Sequence, residues 1–548
     1  MKRSILFVWV VIGLACQQPK PVEVQQWTSY EITFYAQQSY VNPYTDQDVW
    51  AVFVNQKGDS ITRPAFWIGE QVWKVRFAPP DTDSRWTWVS YSSMPDKGLA
   101  DQRGSLQSIP YSGTNTVLRH GLLKMSPQKR NVVHADGTPF LVVGDTPWAI
   151  PFRAQPDQVK VYASDRKRKG YNAALLMSVQ PDRYADGPAR RDTVLGYARA
   201  FDDLQDGHLN KIKPDYFQYL DSLISILIEH EIVPVYQPVF HGFGWKGKTV
   251  LGTTVNPEEY ARYCKYLVAR YGSMPAFWLV SADGTGLDPG VKPGGETIEK
   301  WDDYHQPTGI HYNPADNYMP AWANGDSSKC FHHNRSHQTE KWLDFQWAQT
   351  GHDGIHDVKK VERMYDNKPT KASLNGEPTY EGMGGGKLGQ GWWQGEEAWS
   401  QLMHGGTMGV VYGAAALWQW KITTDEPGWG EWTDQPLSWR EAITLEGSNY
   451  PGYVSKAFRG FNFTDMEKRW DLTGNNQPLL AKEGTFYVSY LHSGGELRIK
   501  NLPEKLSYFW FNPKSGEFAH EGKTKRNEVF NAPDANPWVL LVGERNLK

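Results

Sequence analysis

The carboxylates that close apolar, strand-like runs have the clearest capacity for chemistry. Asp283 ends Ala276–Asp283 (AFWLVSAD), and Glu377 ends Lys371–Glu377 (KASLNGE), flanked by Gly376 and Pro378. Such a pair suits cleavage of a glycosidic bond. One carboxylic acid protonates the leaving oxygen, and a second carboxylate serves as nucleophile or as base for water. A separation of about 5 Å would imply retention of configuration, and about 6.5–9.5 Å inversion. Asp145, Trp148, His241, Gln349, His352, Tyr380, Trp418 and Trp420 stand at or just beyond other run ends, where they could bind sugar hydroxyls and ring faces. Each also has a structural reading, because strand-end carboxylates pair with Arg and buried aromatics fill cores. Gly376 and Pro378 read as residues that let the chain turn sharply and project Glu377.

Other chemistries lack their residues. The sequence has no His-Glu-x-x-His, no Cys-x-x-Cys pair, no P-loop and no Gly-x-Ser-x-Gly elbow. His332, His333 and His337 share a loop without an acidic ligand at metal spacing, so neither a metal nor a cofactor is expected. A net charge of −3 offers no field for nucleic acid. Aromatic residues make up 14% of the chain, with 25 Trp. Core packing takes many of them, and flat sugar faces are a natural use for the rest.

These candidates need elements that bring them together. From about residue 115 to 460 short apolar runs alternate with helical segments. The runs are Phe140–Asp145, Ala173–Val179, Ile232–Phe240, Ala276–Asp283, Thr308–Tyr312, Leu343–Gln349, Lys371–Glu377 and Gly409–Leu417. Helices are predicted at Gln155–Lys169, Asp215–His230 and Pro257–Tyr271, the second with Leu220, Leu223, Ile224 and Leu227 on one face. Eight β-α units predict a (β/α)8 TIM barrel, in which catalytic groups sit at the C-terminal strand ends. The competing fold, a doubly wound sheet, lacks its Gly-rich loop after the first run.

The flanks read as small β-sandwiches, one over residues 27–112 and one over 465–548. In the first, Asp48–Asn55, Gln71–Phe77 and Arg85–Ser90 are strand-like; in the second, Thr485–Leu491, Glu496–Ile499, Tyr508–Phe511 and Val539–Val542. Residues 1–16 read as a lipoprotein signal peptide: Lys2 and Arg3, an apolar stretch Ser4–Ala15, then Cys16 as lipid anchor. The stretch is shorter than the roughly 20 residues of a spanning helix. Membrane contact is therefore expected only through the lipid, on an exported periplasmic or outer-membrane protein of a Gram-negative bacterium. Cys264 and Cys330 are too few for a disulfide framework, and their pairing stays open, as does the oligomeric state.

Several motifs in order resemble a known family. The N-terminal Trp73-Lys-Val-Arg-Phe-Ala-Pro-Pro80 and Trp86-Thr-Trp88 look like the β-sandwich that precedes its barrels. Asp136-Gly-Thr-Pro-Phe-Leu-Val-Val-Gly-Asp-Thr-Pro-Trp148, Trp342-Leu-Asp-Phe345, Asn375-Gly-Glu-Pro-Thr-Tyr-Glu381 and Tyr412-Gly-Ala…Leu417-Trp-Gln419 match its barrel. Trp510-Phe-Asn-Pro-Lys-Ser-Gly516 is similar to a C-terminal module named for collagen binding. The resemblance is to the apiosidase-like glycoside hydrolases, with a family-140-like barrel. It implies glycosidase activity on an oligo- or polysaccharide, with Asp283 as general acid/base and Glu377 as nucleophile. The approach to the acid, Val280-Ser-Ala-Asp283, differs from the Leu-Gly-Gly-Asp common in the family. The alternative reading is a surface lipoprotein that binds glycan or collagen without cutting it.

Overall fold

The computed structural model describes residues 21–185, 187–242, 250–313, 335–427 and 435–547. Eight parallel strands form the central sheet: β1 Val142–Asp145, β2 Ala173–Met177, β3 Val233–Gln237, β4 Phe277–Leu279, β5 Thr308–Tyr312, β6 Phe345–Gln349, β7 Ala372–Glu377 and β8 Gly409–Tyr412. Hydrogen-bonded order runs β7-β6-β5-β4-β3-β2-β1-β8. Between β7 and β8 the ring is drawn shut by single bonds, Met408 N to Ser373 O at 3.2 Å and Glu381 N to Gly413 O at 2.9 Å. The fold is therefore the expected TIM barrel. Every residue of β2, β3, β5, β6 and β7 is buried, which is why these strands read as unbroken apolar runs and not as alternations.

The helices follow their sequence signals. Pro156–Lys169, Pro214–Glu229 and Pro257–Tyr271 all begin on proline, which needs no backbone N–H donor at that position. Asn256 caps the last of these, its side chain accepting from the N–H groups of Glu258 and Glu259 at 2.9 and 3.3 Å. Leu220, Leu223, Ile224 and Leu227 face the barrel, each contributing about 1.5–3 kcal/mol through burial. No described helix is long and apolar enough to cross a membrane.

Three runs differ most from expectation. The first splits: Pro139–Phe140 pairs with Val132–His134 in a three-stranded sheet completed by Leu123–Met125, and only Val142–Asp145 enters the barrel. Phe140 stands 6.2 Å from Phe277, at the start of β4, so this small sheet packs on the barrel floor. The fourth and eighth runs stop early, at Leu279 and Tyr412; the chain then bends, and Ala415–Trp418 is a helical turn.

Seven strands precede the barrel, in an order that ends with Tyr30–Tyr35 at one edge and Val22–Gln25 at the other. The long strand Ser60–Gly69 pairs with Val49–Asn55 through its first half and with Val72–Phe77 through its second, joining two layers around Phe34, Phe53, Trp73 and Phe77. After the barrel, six antiparallel strands between Glu467 and Gly543 form one sheet, beside the pair Glu496–Arg498 and Val529–Asn531. Both flanks are thus β-rich. Seven tryptophans, including Trp278, Trp347, Trp399 and Trp420, are among the largest fully buried side chains, so much of the aromatic excess is core.

Buried charge ties the leading sheets to the barrel. Arg63 is fully enclosed; its Nη2 donates to Val268 O at 2.8 Å, and its Nη1 lies 3.6 Å from Asp302. Arg76 of the leading sheets and Arg270 of the barrel both grip Asp221, at 2.7 and 2.8 Å.

Candidate active site

The chain runs past β4 to Asp283, which sits at φ 51° in the left-handed region. Asp tolerates that region better than most residues, yet holding it there costs on the order of 1–3 kcal/mol. Close approach explains two neighbouring glycines. A Cβ at Gly242 would stand 2.4 Å from Asp283 Oδ2, and one at Gly284 would stand 2.6 Å from the Cβ of His241.

Glu377 is aimed by a bulge. The β6–β7 ladder pairs Ala348 with Asn375 but Gln349 with Glu377, which leaves Gly376 as the extra residue. A Cβ there would meet the Trp347 indole at 1.7 Å. Its φ lies outside the left-handed region. Gly376 is therefore required by packing, and the sharp turn expected of it is not the reason.

One carboxyl oxygen of Asp283, one of Glu377 and a ring nitrogen of His311 lie within 4.8 Å of one another, and all three residues are buried. His311 Nε2 is 3.0 Å from Glu377 Oε2, although poorly aligned for a hydrogen bond, and His352 Nε2 is 3.2 Å from Oε1. Behind His311, Gln237 Nε2 donates to Nδ1 at 3.0 Å, which places the ring proton on Nε2, toward the carboxylate. Burial and the nearby Glu377 charge hold the Asp283 carboxyl well above the usual carboxylate range, with the Lys360 ammonium opposing. Burial pushes Glu377 upward too, but His311 and His352 outweigh it and hold its carboxyl at about 2. Two close carboxyls thus divide one proton unequally: Asp283 keeps it, and Glu377 carries the charge.

Asp283, His311 and Glu377 are also the cluster among the described residues that could hold a cation. Buried Lys360 donates to the carbonyls of Asn313 and Gln349 at 2.7 and 2.9 Å, tying together the ends of β5 and β6 beside the pair.

The other candidates divide into two groups. Trp148 packs against His311, Phe240 and Trp418 at 5.5, 5.6 and 6.2 Å between ring centres. Gln349 lies 2.6 Å from His352, whose ring is 5.0 Å from that of Tyr380. His241 accepts from Ala282 N through Nδ1 at 3.2 Å and keeps its proton on Nε2. Trp148 Nε1, His241 Nε2, Gln349 Oε1, Tyr380 Oη and Asp283 Oδ1 are buried without a hydrogen-bond partner among the described residues. Such orphaned groups are costly unless a ligand meets them.

Asp145 and Trp420 turn away from this cluster. Asp145 accepts from Arg166 Nε at 2.5 Å, Tyr162 Oη at 3.0 Å and Thr146 N at 2.8 Å. Its Oδ2 is spent on the helix layer and its Oδ1 on the backbone of Thr146, so it is a strut and not a substrate ligand. Trp420 stacks on Trp439 at 4.6 Å and donates to Gln158 at 3.0 Å, again within the core. His337 donates Nε2 to Gly286 O at 2.7 Å and packs on Trp342. Cys16, Cys330, His332 and His333 lie outside the described residues, and Cys264 is a buried free thiol.

Residues 126–465 match the apiosidase-like catalytic domain. The chain belongs to the apiosidase-like family. It is, with that family, a glycosidase. Residues 23–93 of this apiosidase-like chain match a domain family of unknown function. No curated protein sequence matches it significantly. Among solved structures, a provisionally assigned glycoside hydrolase from Bacteroides vulgatus aligns with a TM-score of 0.69 at 18% identity, over 95% of this chain and 99% of that one. A second glycoside hydrolase aligns at 0.61 and 20% identity, covering 78% and 97%. A family 5 glycoside hydrolase from Bacteroides vulgatus aligns at 0.59 and 20% identity, covering 78% and 94%. At these identities the likeness speaks for the fold. Sequence reasoning passed over His311, Gly242 and Lys360; a histidine inside the otherwise buried run Thr308–Tyr312 was the signal for the first.

Proposed function

We propose that Asp283 and Glu377 are the catalytic pair of a retaining glycoside hydrolase acting on a complex plant or algal polysaccharide. The observation that carries this reading is the close approach of two buried carboxyls with opposite protonation, one oxygen of each within 4.8 Å of the other, closer than the roughly 6.5–9.5 Å of inverting enzymes. Glu377 attacks the anomeric carbon as the bond to the leaving oxygen breaks, and Asp283 gives that oxygen its proton. Asp283, now ionised, takes a proton from water. The water oxygen then attacks the anomeric carbon and releases Glu377. The orphaned donors and acceptors around the pair, on Trp148, His241, Gln349 and Tyr380, fit the hydroxyls of a sugar.

The test compares the parent chain with Asp283→Asn and Glu377→Gln for sugar release from pectic and algal polysaccharides, reading the first-formed anomer by NMR. Release that both variants lose, with retained configuration, supports the assignment. Release surviving in either variant removes that residue from it, and an inverted first product removes the nucleophile role of Glu377. We further infer export through the N-terminal leader with lipid on Cys16; mass spectrometry of the mature N-terminus checks this.

A further inference from the structure

Where the leading sheets meet the barrel, a ledge is built from side chains that catalysis does not use. Trp50 and Tyr91 are direct partners across the strands Val49–Asn55 and Arg85–Ser92. Their rings lie 5.7 Å apart and 14° from parallel. Trp50 is half-buried and Tyr91 is 42% exposed, so the stacked pair presents aromatic surface to solvent. Trp301 stands edge-on to Trp50 at 6.4 Å.

Positive charge gathers on that third ring. Lys265 Nζ is 4.1 Å from the centre of the Trp301 ring, and Lys300 Nζ is 5.3 Å from it. Lys265 pairs with Asp48 at 2.7 Å. Lys300 has no carboxylate within salt-bridge distance among the described residues. A cavity of about 330 Å³ opens beside them, lined by Asp46, Asp48, Arg262, Lys265, Lys300 and Trp301 among others. Three cations face two carboxylates there, with two ammonium groups crowded over one indole. An incoming anion would relieve that crowding, and rings beside it would take an apolar face.

A sugar ring bearing an acidic group has both features. We propose that this ledge is a second carbohydrate site, which takes an anionic sugar of a polysaccharide with its C–H face on Trp50 and Tyr91 and its carboxylate or sulfate on Lys265 and Lys300. Lys300 and Trp301 end the helix Val291–Trp301 that leads into β5, so the ledge lies toward the barrel end opposite Asp283 and Glu377. A sugar held there is not the one being cut. The site binds a remote stretch of polymer, and it stands whether or not the catalytic assignment does.

The experiment is calorimetric titration of the full chain carrying Glu377→Gln, so that no ligand is consumed. The probes are oligogalacturonates, the same oligomers reduced at their carboxyls to neutral sugars, and sulfated galactan oligomers. At least one anionic series binds, more weakly as salt is added, and the neutral series does not. Which anionic series binds tells carboxylate from sulfate. Tyr91→Ala and Lys300→Glu, both on the surface, each weaken that binding about tenfold or more, the loss of one charge-assisted or stacking contact. With Glu377 restored, both variants keep the parent's rate on small soluble substrates. The proposal is overturned if neither anionic series binds, if the neutral series binds as well, or if both variants bind like the parent.

Discussion

Replacing His311 with Phe tests the electrostatics of the pair most directly. The ring shape survives, but the nitrogen 3.0 Å from Glu377 Oε2 is lost. Burial alone would raise Glu377; His311 and His352 together hold it at about 2. A well-aligned hydrogen bond to a charged group is worth about 1.5–3 kcal/mol, so losing this poorly aligned contact should raise the Glu377 carboxyl by up to roughly 1–2 pK units. Under the proposed roles Glu377 must be ionised, so its titration sets the acid limb of kcat/KM, and Asp283 must be protonated, so it sets the alkaline limb. The assay is kcat/KM for sugar release from pH 3 to 9, with circular dichroism at each pH to confirm folding. The parent stays near its plateau down to about pH 3, whereas the variant falls off below about pH 4, with the alkaline limb where it was. The variant also orphans Gln237 Nε2, which costs about 1–3 kcal/mol of stability and must be separated by the melts. An acid limb that does not move, in a variant that stays folded, would refute the claim that His311 holds the charge on Glu377.

Three further outcomes follow from geometry already given. Asp145→Ala removes the partner of Arg166 Nε while Asp165 stays on Nη1, and should cost about 1.5–3 kcal/mol in urea unfolding while the rate per folded molecule is kept; a lost rate at intact stability would return Asp145 to the substrate. Gly376→Ala drives a Cβ toward the Trp347 indole and should displace Glu377, so activity falls steeply and Trp fluorescence shifts; full activity would show that the bulge absorbs a methyl. His134 is held at about 4 by burial, against 6.5 for an ordinary histidine. Between those values the unfolded chain binds the proton and the folded chain does not, so stability falls as pH drops from about 6.5 to 4, by up to about 3 kcal/mol. His134→Gln should flatten that slope in thermal melts.

The barrel was legible because parallel strands, covered on both faces, leave unbroken apolar runs, and because catalytic groups gather at one end of them. That reasoning reached Asp283 and Glu377 without any view of their surroundings. It could not sort inward from outward at the last residue of a strand. Asp145 and Glu377 both end apolar runs, yet one turns to Arg166 in the helix layer and the other to His311 inside the barrel. Trp418 ends the helical turn Ala415–Trp418 and Trp420 lies beyond it at φ 52°, so the two face different surroundings although they were read alike. The bulge at Gly376 is a matter of register between β6 and β7, which no single run records. Phe140 and Leu141 were read as one strand with Val142 because hydrophobicity does not change where the chain leaves the floor sheet for the barrel.

The enclosed arginine at the base of the leading sheets bears on how such a gene can change. A barrel expressed from about residue 115 onward would take the Arg63 guanidinium from the Val268 carbonyl and from Asp302, and Asp221 would keep only one of its two guanidinium partners. The leading sheets cut loose would carry an unpaired guanidinium in their hinge strand. Neither half is a ready-made part that recombination could trade with another enzyme. The segment at 23–93 and the barrel are therefore expected to be inherited together, and substitutions at Arg63 and Asp302 to travel as a pair.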